Sequence, residues 1–338
     1  MGRIAAILFA LSLCAAEGRA HGNAHGHAGP PQLDFAKVEV KTEKAAGSVY
    51  VLFGAGGNIG VSAGPDGVLI VDDQFAPLAD KSRAALKPLS PGQLRFVLNT
   101  HFHFDHTHAN PVFGREALLG AHANVRRRLA TETTVLGQKY PPLPKEGLPV
   151  ITYDTTVSFN FNGEEIRVVH FPAGHTDGDS VVFFTSSNVI HMGDDFFAAR
   201  FPFVDLDNGG SVEGLTRNIA EVIAKAPAGV KIIPGHGPLS TVEDLRAYHS
   251  MLVETTELIR ARLRSGRTLE QAKAEGLPDK WREWGTGFVN TQDWIGTVYR
   301  SLQQNAGKKA SLRPDPTPRD AARLSLAGER WLDFRLGV

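Results

Sequence analysis

Three rhythms of apolar and polar positions divide this sequence. Ile4 to Leu13 is an apolar run. Residues 21–34 (HGNAHGHAGPPQLD) carry no apolar period. From Val38 to about residue 240, short apolar runs alternate with turns and amphipathic stretches. Val49 to Phe53 and Val68 to Val71 read as strands around the turn Gly64-Pro65-Asp66-Gly67. Leu78 to Leu86 reads as a helix, Leu94 to Leu98 as a strand, and Asn124 to Ala130 as a helix after a short strand near Leu118. The Pro-rich residues 137–150 read as a surface loop. Val157 to Phe161 and Glu165 to Phe171 alternate across Asn162-Gly163, a hairpin signal. Val181 to Thr185 and Val189 to Met192 form a second hairpin; Val212 to Ala226 is helical, and Val230 to Ile233 is a buried strand.

Beyond residue 240 the period is helical. Thr241 with Asp244, and Thr268 with Gln271, are capping arrangements opening two helices, the first running to about Arg264. Residues 290–304 give a third helix, and the Lys-, Pro- and Asp-rich residues 305–320 read as a mobile segment. The organisation expected is residues 1–20 as a targeting segment, 21–40 as a flexible leader, 41–245 as the main α/β domain, and 246–338 as a helical tail.

The opening run is too short to span a bilayer. With Arg3 before it and the small residues around Ala16 and Ala20 after it, it reads as a signal peptide cleaved near one of those alanines. The expected location is therefore exported, periplasmic or secreted, with no stable membrane insertion after cleavage. Cys14 is the only cysteine, so the mature chain has no disulfide and no thiolate ligand; lipidation of Cys14 stays open, with Leu13 bulky where a small residue is expected. The 36 basic and 36 acidic side chains show no basic stripe, which excludes a nucleic-acid partner and leaves a small-molecule substrate. His21, His25 and His27 belong either to a metal-scavenging leader or to a plain disordered one. Nothing in the sequence selects an oligomeric state.

The chemistry concentrates in residues 100–110, THFHFDHTHAN, directly after a buried strand. On an extended chain, alternation puts His101, His103 and Asp105 on one side, with Phe102 and Phe104 anchoring the other. Two imidazoles and a carboxylate so close are costly in an apolar core and natural around a cation. Three further polar residues, each flanked by glycine, follow apolar strands: His175 after Phe171, Asp194 after Met192 and His236 after Ile233. Loops at strand ends converge at one edge of layered α/β sheets.

In this order, HxHxDH, Gly-His, Gly-Asp and Pro-Gly-His-Gly, the chain resembles the metallo-β-lactamase superfamily over roughly residues 45–240. The resemblance implies an αββα sandwich, here with a C-terminal helical extension. It implies two zinc ions: one on His101, His103 and His175, the other on Asp105, His106 and His236, with Asp194 bridging. Asp72 resembles the aspartate that supports such a site from behind its ligands. The other histidines, His108, His122, His170, His191 and His249, match no motif position and read as structural, with His108 near the mouth.

Zinc suits a ligand set of imidazole and carboxylate. Bound water acidifies toward a pKa of ~7, and two ions ~3.5–4 Å apart hold both the attacking and leaving groups. The resemblance thus implies a zinc-dependent hydrolase acting on an ester, lactone, thioester, lactam or phosphodiester, with Asp105 also a proton acceptor. Three alternatives stay open: a β-lactamase of the all-His/Asp subclass, a mononuclear iron persulfide dioxygenase, and a non-catalytic exported zinc-binding protein. Asp177 and Asp179 either add negative potential at the pocket or bond their own turn. In the aromatic stretch 195–206, Phe196, Phe197, Phe201 and Phe203 either line an apolar pocket or pack under the helical tail.

Overall fold

The computed structural model describes residues 34–311. The expected signal peptide, most of the leader with its three histidines, and residues 312–338 lie outside that range. Of the described residues, those from Phe35 to Ser311 belong to one compact unit. The first half runs through β1 (Lys41–Ala46), β2 (Val49–Phe53), β3 (Ile59–Gly64), β4 (Gly67–Val71), β5 (Leu94–Asn99) and β6 (Leu118–His122). A hairpin of β7 (Thr133–Val135) and β8 (Gln138–Tyr140) follows, then β9 (Ile151–Tyr153). All but the hairpin form one seven-stranded sheet, in chain order. The second sheet holds β10 (Thr156–Phe161), β11 (Glu164–His170), β12 (Ser180–Phe184), β13 (Val189–His191), β14 (Lys231–Ile233) and β15 (Ser240–Thr241), also in order.

The helices are α1 (Ala79–Leu86), α2 (Phe104–Thr107), α3 (Asn110–Phe113), α4 (Ala123–Leu129), α5 (Val212–Lys225), α6 (Val242–Arg264), α7 (Leu269–Glu275) and α8 (Thr291–Ser311). Three apolar clusters set the layering. Val51, Leu69 and Leu98 of the first sheet mesh with Ile166, Val182 and Ile233 of the second. Leu52, Ile70 and Val97 face the other way, against Ala79, Leu86 and Phe113. The outer face of the second sheet, Val181, Ile190 and Ile232, meets Leu215, Ile219, Tyr248, Met251, Trp294 and Val298. This is the helix–sheet–sheet–helix sandwich with C-terminal helices that the sequence led us to expect.

Strand direction brings the loops of interest together. β4, β5, β6 and β9 are parallel neighbours. β11 and β13 are each antiparallel to β12, and β14 is parallel to β13, so β11, β13 and β14 share a direction. Side chains that follow their carboxyl ends can therefore meet at one edge.

Local departures from the sequence reading have simple causes. The expected division after residue 245 falls inside α6, whose apolar face packs on the same core as α5. Residues 35–38, expected in the leader, are held by Lys81, whose Nζ donates to the carbonyls of Phe35, Ala36 and Val38. The expected loop at 137–150 contributes β8, paired with β7 across a turn at Leu136-Gly137. α8 runs on to Ser311, past the expected stop at 304, because no proline interrupts it before Pro314. Among the described residues, no helix is long and apolar enough to cross a membrane.

Candidate metal centre

The stretch after β5 is not extended throughout. The chain bends at Thr100 and His101, just past the end of β5, and α2 begins at Phe104. A helical turn rotates successive side chains by about 100° rather than 180°. Asp105 thus leaves the company of His101 and His103 and joins His106 and His236. Phe104, expected to anchor the loop in the core, is 36% exposed, whereas Phe102 is buried.

Two groups of donor atoms result. His101, His103, His175 and Asp194 form one, and Asp105, His106 and His236 the other; within each, the donor atoms lie within 4.8 Å of one another. Asp194 reaches across both. Its Oδ2 stands 3.8 Å from His101 Nε2 and 3.6 Å from His175 Nε2. Its Oδ1 stands 3.1 Å from His106 Nε2 and 3.4 Å from His236 Nε2. Asp105 Oδ2 lies 3.3 Å from His236 Nε2 and 3.6 Å from His106 Nε2. The first group is deeply buried; Asp105 and His236, with side chains 31% and 24% exposed, form the open edge.

Four imidazoles are fixed from behind. Thr100 Oγ1 donates its proton to Asp72 Oδ2 at 2.7 Å, so the Thr100 hydroxyl oxygen is left to accept His101 Nδ1–H at 3.0 Å. His106 Nδ1–H donates to the same Asp72 oxygen at 2.8 Å. His103 Nε2–H donates to Asp205 at 2.9 Å, and His175 Nδ1–H to the Phe203 carbonyl at 2.7 Å. With each outer nitrogen donating, the inner nitrogen can bring a lone pair inward, the usual arrangement behind metal-binding histidines; on His106 burial opposes charge, but Asp194 and then Asp105 outweigh it, so that ring keeps its inner proton until a cation replaces it. His103 Nδ1 and His175 Nε2 meet at 2.8 Å. His101 Nε2 is buried with no hydrogen-bond partner. Converging lone pairs and an orphaned buried nitrogen are what a divalent cation would satisfy.

The electrostatics agree. Burial, then repulsion from His106, holds His101 well below the ordinary imidazole range. Burial, then His103, lowers His175 to about 4. Burial works to raise Asp105, but His106 and His236 overcome it and hold the carboxyl at about 2. Burial opposes charge on His236, and Asp194 and Asp105 outweigh it, raising the ring to about 9. The carboxylates are thus ionised and call for positive charge beside them.

Glycine makes room at two points. A Cβ at Gly57 would collide with the His106 ring, and one at Gly214 with the Ala173 carbonyl. The second contact lets the first turn of α5 lie on the His175 loop, where Ser211 N also donates to Gly174 O at 2.8 Å.

The remaining expected residues separate. Asp72 stands directly behind the two donor groups, as described. Phe197 lies flat against His236, centroids 5.1 Å apart at 13°. Phe196 does not reach the site: it is buried against Tyr248 of α6, as is Phe201 against Trp294 of α8. Asp177 is not brought to the ligands either; both its oxygens bind Arg128, at 2.7 and 2.8 Å. Asp179 accepts from Thr176 N at 2.7 Å and from the Thr176 hydroxyl, a turn role. His108 stacks on Phe104 near the open edge, with its ring lowered by burial.

Sequence reasoning missed Thr100, Asp205 and the chain behind Asp205. Asn208 Nδ2 donates to Asp205 at 2.7 Å, and Arg128 Nη1 donates to Asn208 at 2.6 Å. The available signal was the acid of Phe203-Val204-Asp205-Leu206, a lone carboxylate in an apolar stretch.

The chain belongs to the metallo-beta-lactamase superfamily, whose model matches residues 46–239, more than half of the sequence. Solved structures of similar fold include DIM-1 metallo-beta-lactamase, at 17% identity and TM-score 0.53, covering 64% of this chain and 99% of that one. A metallo-beta-lactamase from Pontibacter korlensis is similar at 15% identity and TM-score 0.53, covering 63% and 99%. A double mutant of the sec-alkyl sulfatase PisA1 is similar at 15% identity and TM-score 0.61, covering 88% of this chain and 55% of that one. Identities this low concern the fold alone. Comparison with curated proteins gives no match.

Proposed function

We propose that this protein is a zinc-dependent hydrolase with two metal ions per chain. The observation that carries the reading is the Asp194 carboxylate, which offers one oxygen to each donor group. His101, His103 and His175 would hold the inner ion, and Asp105, His106 and His236 the outer one. When bound, the pair would acidify a shared water and polarise the scissile group.

The chain's own residues perform the rest. The buried inner group is closed by protein on all its imidazoles, so its task is to hold and orient. The open edge at Asp105 and His236 is where a substrate and water enter. Asp105, ionised and partly exposed, accepts the proton released as water attacks and passes it to the leaving atom. Tyr140, its phenol raised by burial and then by the Asp105 charge, stands nearby.

The substrate is a small molecule with an ester, lactone, thioester, lactam or phosphodiester bond. Sulfate esters join that range because one structure of similar fold is named a sec-alkyl sulfatase. Export through residues 1–20 is part of the same proposal.

The test is metal analysis and a substrate panel on the purified protein. Two zinc ions with turnover of one bond class support the reading. One iron ion with persulfide oxidation favours the dioxygenase, zinc without turnover across the panel favours the carrier, and lactams alone favour the β-lactamase. An Asp105→Ala protein with full metal content and unimpaired turnover removes the proton-accepting role.

A further inference from the structure

A row of aromatic rings from separate parts of the chain runs from the inner donor group to the surface. Phe203 contacts the rings of His103 and His175, with centroids 5.6 and 5.7 Å apart. Phe288, on the segment before α8, stands edge-on to Phe203 at 6.2 Å and 89°. It is 70% exposed, yet its neighbour Val289 is buried and the Arg200 stem lies against Gly287. The backbone here is held while the ring is left in water. On the outer donor group, Phe104 precedes Asp105 and lies 5.2 Å from Tyr140. Arg128, the arginine tied into the site's outer hydrogen bonds, is committed to Asp177 and Asn208 and offers nothing to an anionic group.

An exposed phenylalanine continuous with a row of rings reaching metal-type ligands is a surface that a ligand's apolar part would cover. We propose that the centre takes esters with an apolar acyl arm, alkyl or aryl, and that the exposed ring of Phe288 in the C-terminal extension, resting edge-on on Phe203, packs against that arm. This rests on the hydrolase reading above. The reaction breaks the acyl C–O bond, joins water's oxygen to the acyl carbon and returns a proton to the departing alkoxide.

The experiment uses the full-length, zinc-loaded protein and two readouts. The first is kcat/KM for p-nitrophenyl esters from acetate to octanoate. The second is the Kd for the matching free carboxylates, which needs no turnover. Each buried methylene adds a favourable transfer term, so both series are expected to improve by roughly tenfold or more from two to eight carbons. Phe288→Ala is expected to flatten both slopes. Leu118→Ala, at an exposed apolar residue that opens β6 at the end away from the ligand loops, keeps them. A Kd independent of chain length, or a slope that survives in Phe288→Ala, overturns the proposal. Length-dependent binding with no hydrolysis of any ester overturns the hydrolase reading and leaves the apolar subsite standing.

Discussion

At the scale of single residues, the centre depends on groups that hold the candidate ligands without being among them. Asp72 has φ of +64°, an uncommon backbone state for a residue that is not glycine. In that state it accepts from Thr100 N, Thr100 Oγ1 and His106 Nδ1 at once. Asp72→Asn removes one acceptor and the charge that draws the two imidazoles into position. Zinc affinity is expected to fall by about 10–100-fold, read by competition with a chromophoric chelator. Unchanged affinity for both ions would show that His101 and His106 hold their orientation alone. Gly57→Ala, which drives a methyl into the His106 ring, is expected to cost the outer ion before the inner one in the same titration.

At the scale of elements, α4 and the 205–208 turn act together. Arg128, near the end of α4, grips Asp177 with two nitrogens and Asn208 with a third. Asn208 holds Asp205, and Asp205 holds His103. Arg128→Lys keeps the charge and loses the planar fork. It is expected to weaken zinc binding by several-fold without shifting the helical circular dichroism; wild-type affinity would cut this chain of contacts out of the site. α6 opens with a full capping box at Thr241 and Asp244. Thr241→Ala is expected to cost about 1 kcal/mol, seen as a lowered Tm.

For the whole molecule, the C-terminal helices are part of the core and not an appendage. Leu245, Tyr248 and Met251 of α6, with Trp294 and Val298 of α8, cover Phe196, Phe201 and Leu215. Fully burying such a side chain contributes about 1.5–3 kcal/mol. A chain ended at residue 241 is therefore expected to be insoluble; a soluble product binding two zinc ions would refute this. A pH dependence belongs to this scale too. His122 and His170 stack at 3.7 Å and 9°. Burial, then His170, lowers His122, and burial lowers His170. In the unfolded chain both rings titrate near ~6.5. The folded protein binds fewer protons, so this contribution is complete above ~6.5 and is lost as pH falls below it. His170→Phe keeps the stack and removes one titrating ring. Its Tm is expected to fall less than that of the parent between pH 7 and 5, and an identical slope would count against it.

The sequence by itself determined what local chemistry and period can encode. The motif histidines and acids, the capping boxes at Thr241 and Thr268, the Asn162-Gly163 hairpin and most strands are properties of short stretches, legible without knowing what packs on them. Tertiary structure decided where those pieces meet. Through one helical turn it set Asp105 beside His236, the grouping that the family resemblance implied and strand alternation alone did not. It sent Phe196 into the core and Phe197 to the site, because the backbone of Phe197 pairs with His236 while α6 covers Phe196. It gave Asp205 to His103 from 102 positions away. Such partners have no shared period or spacing, and only burial of the intervening apolar surface brings them within hydrogen-bond reach.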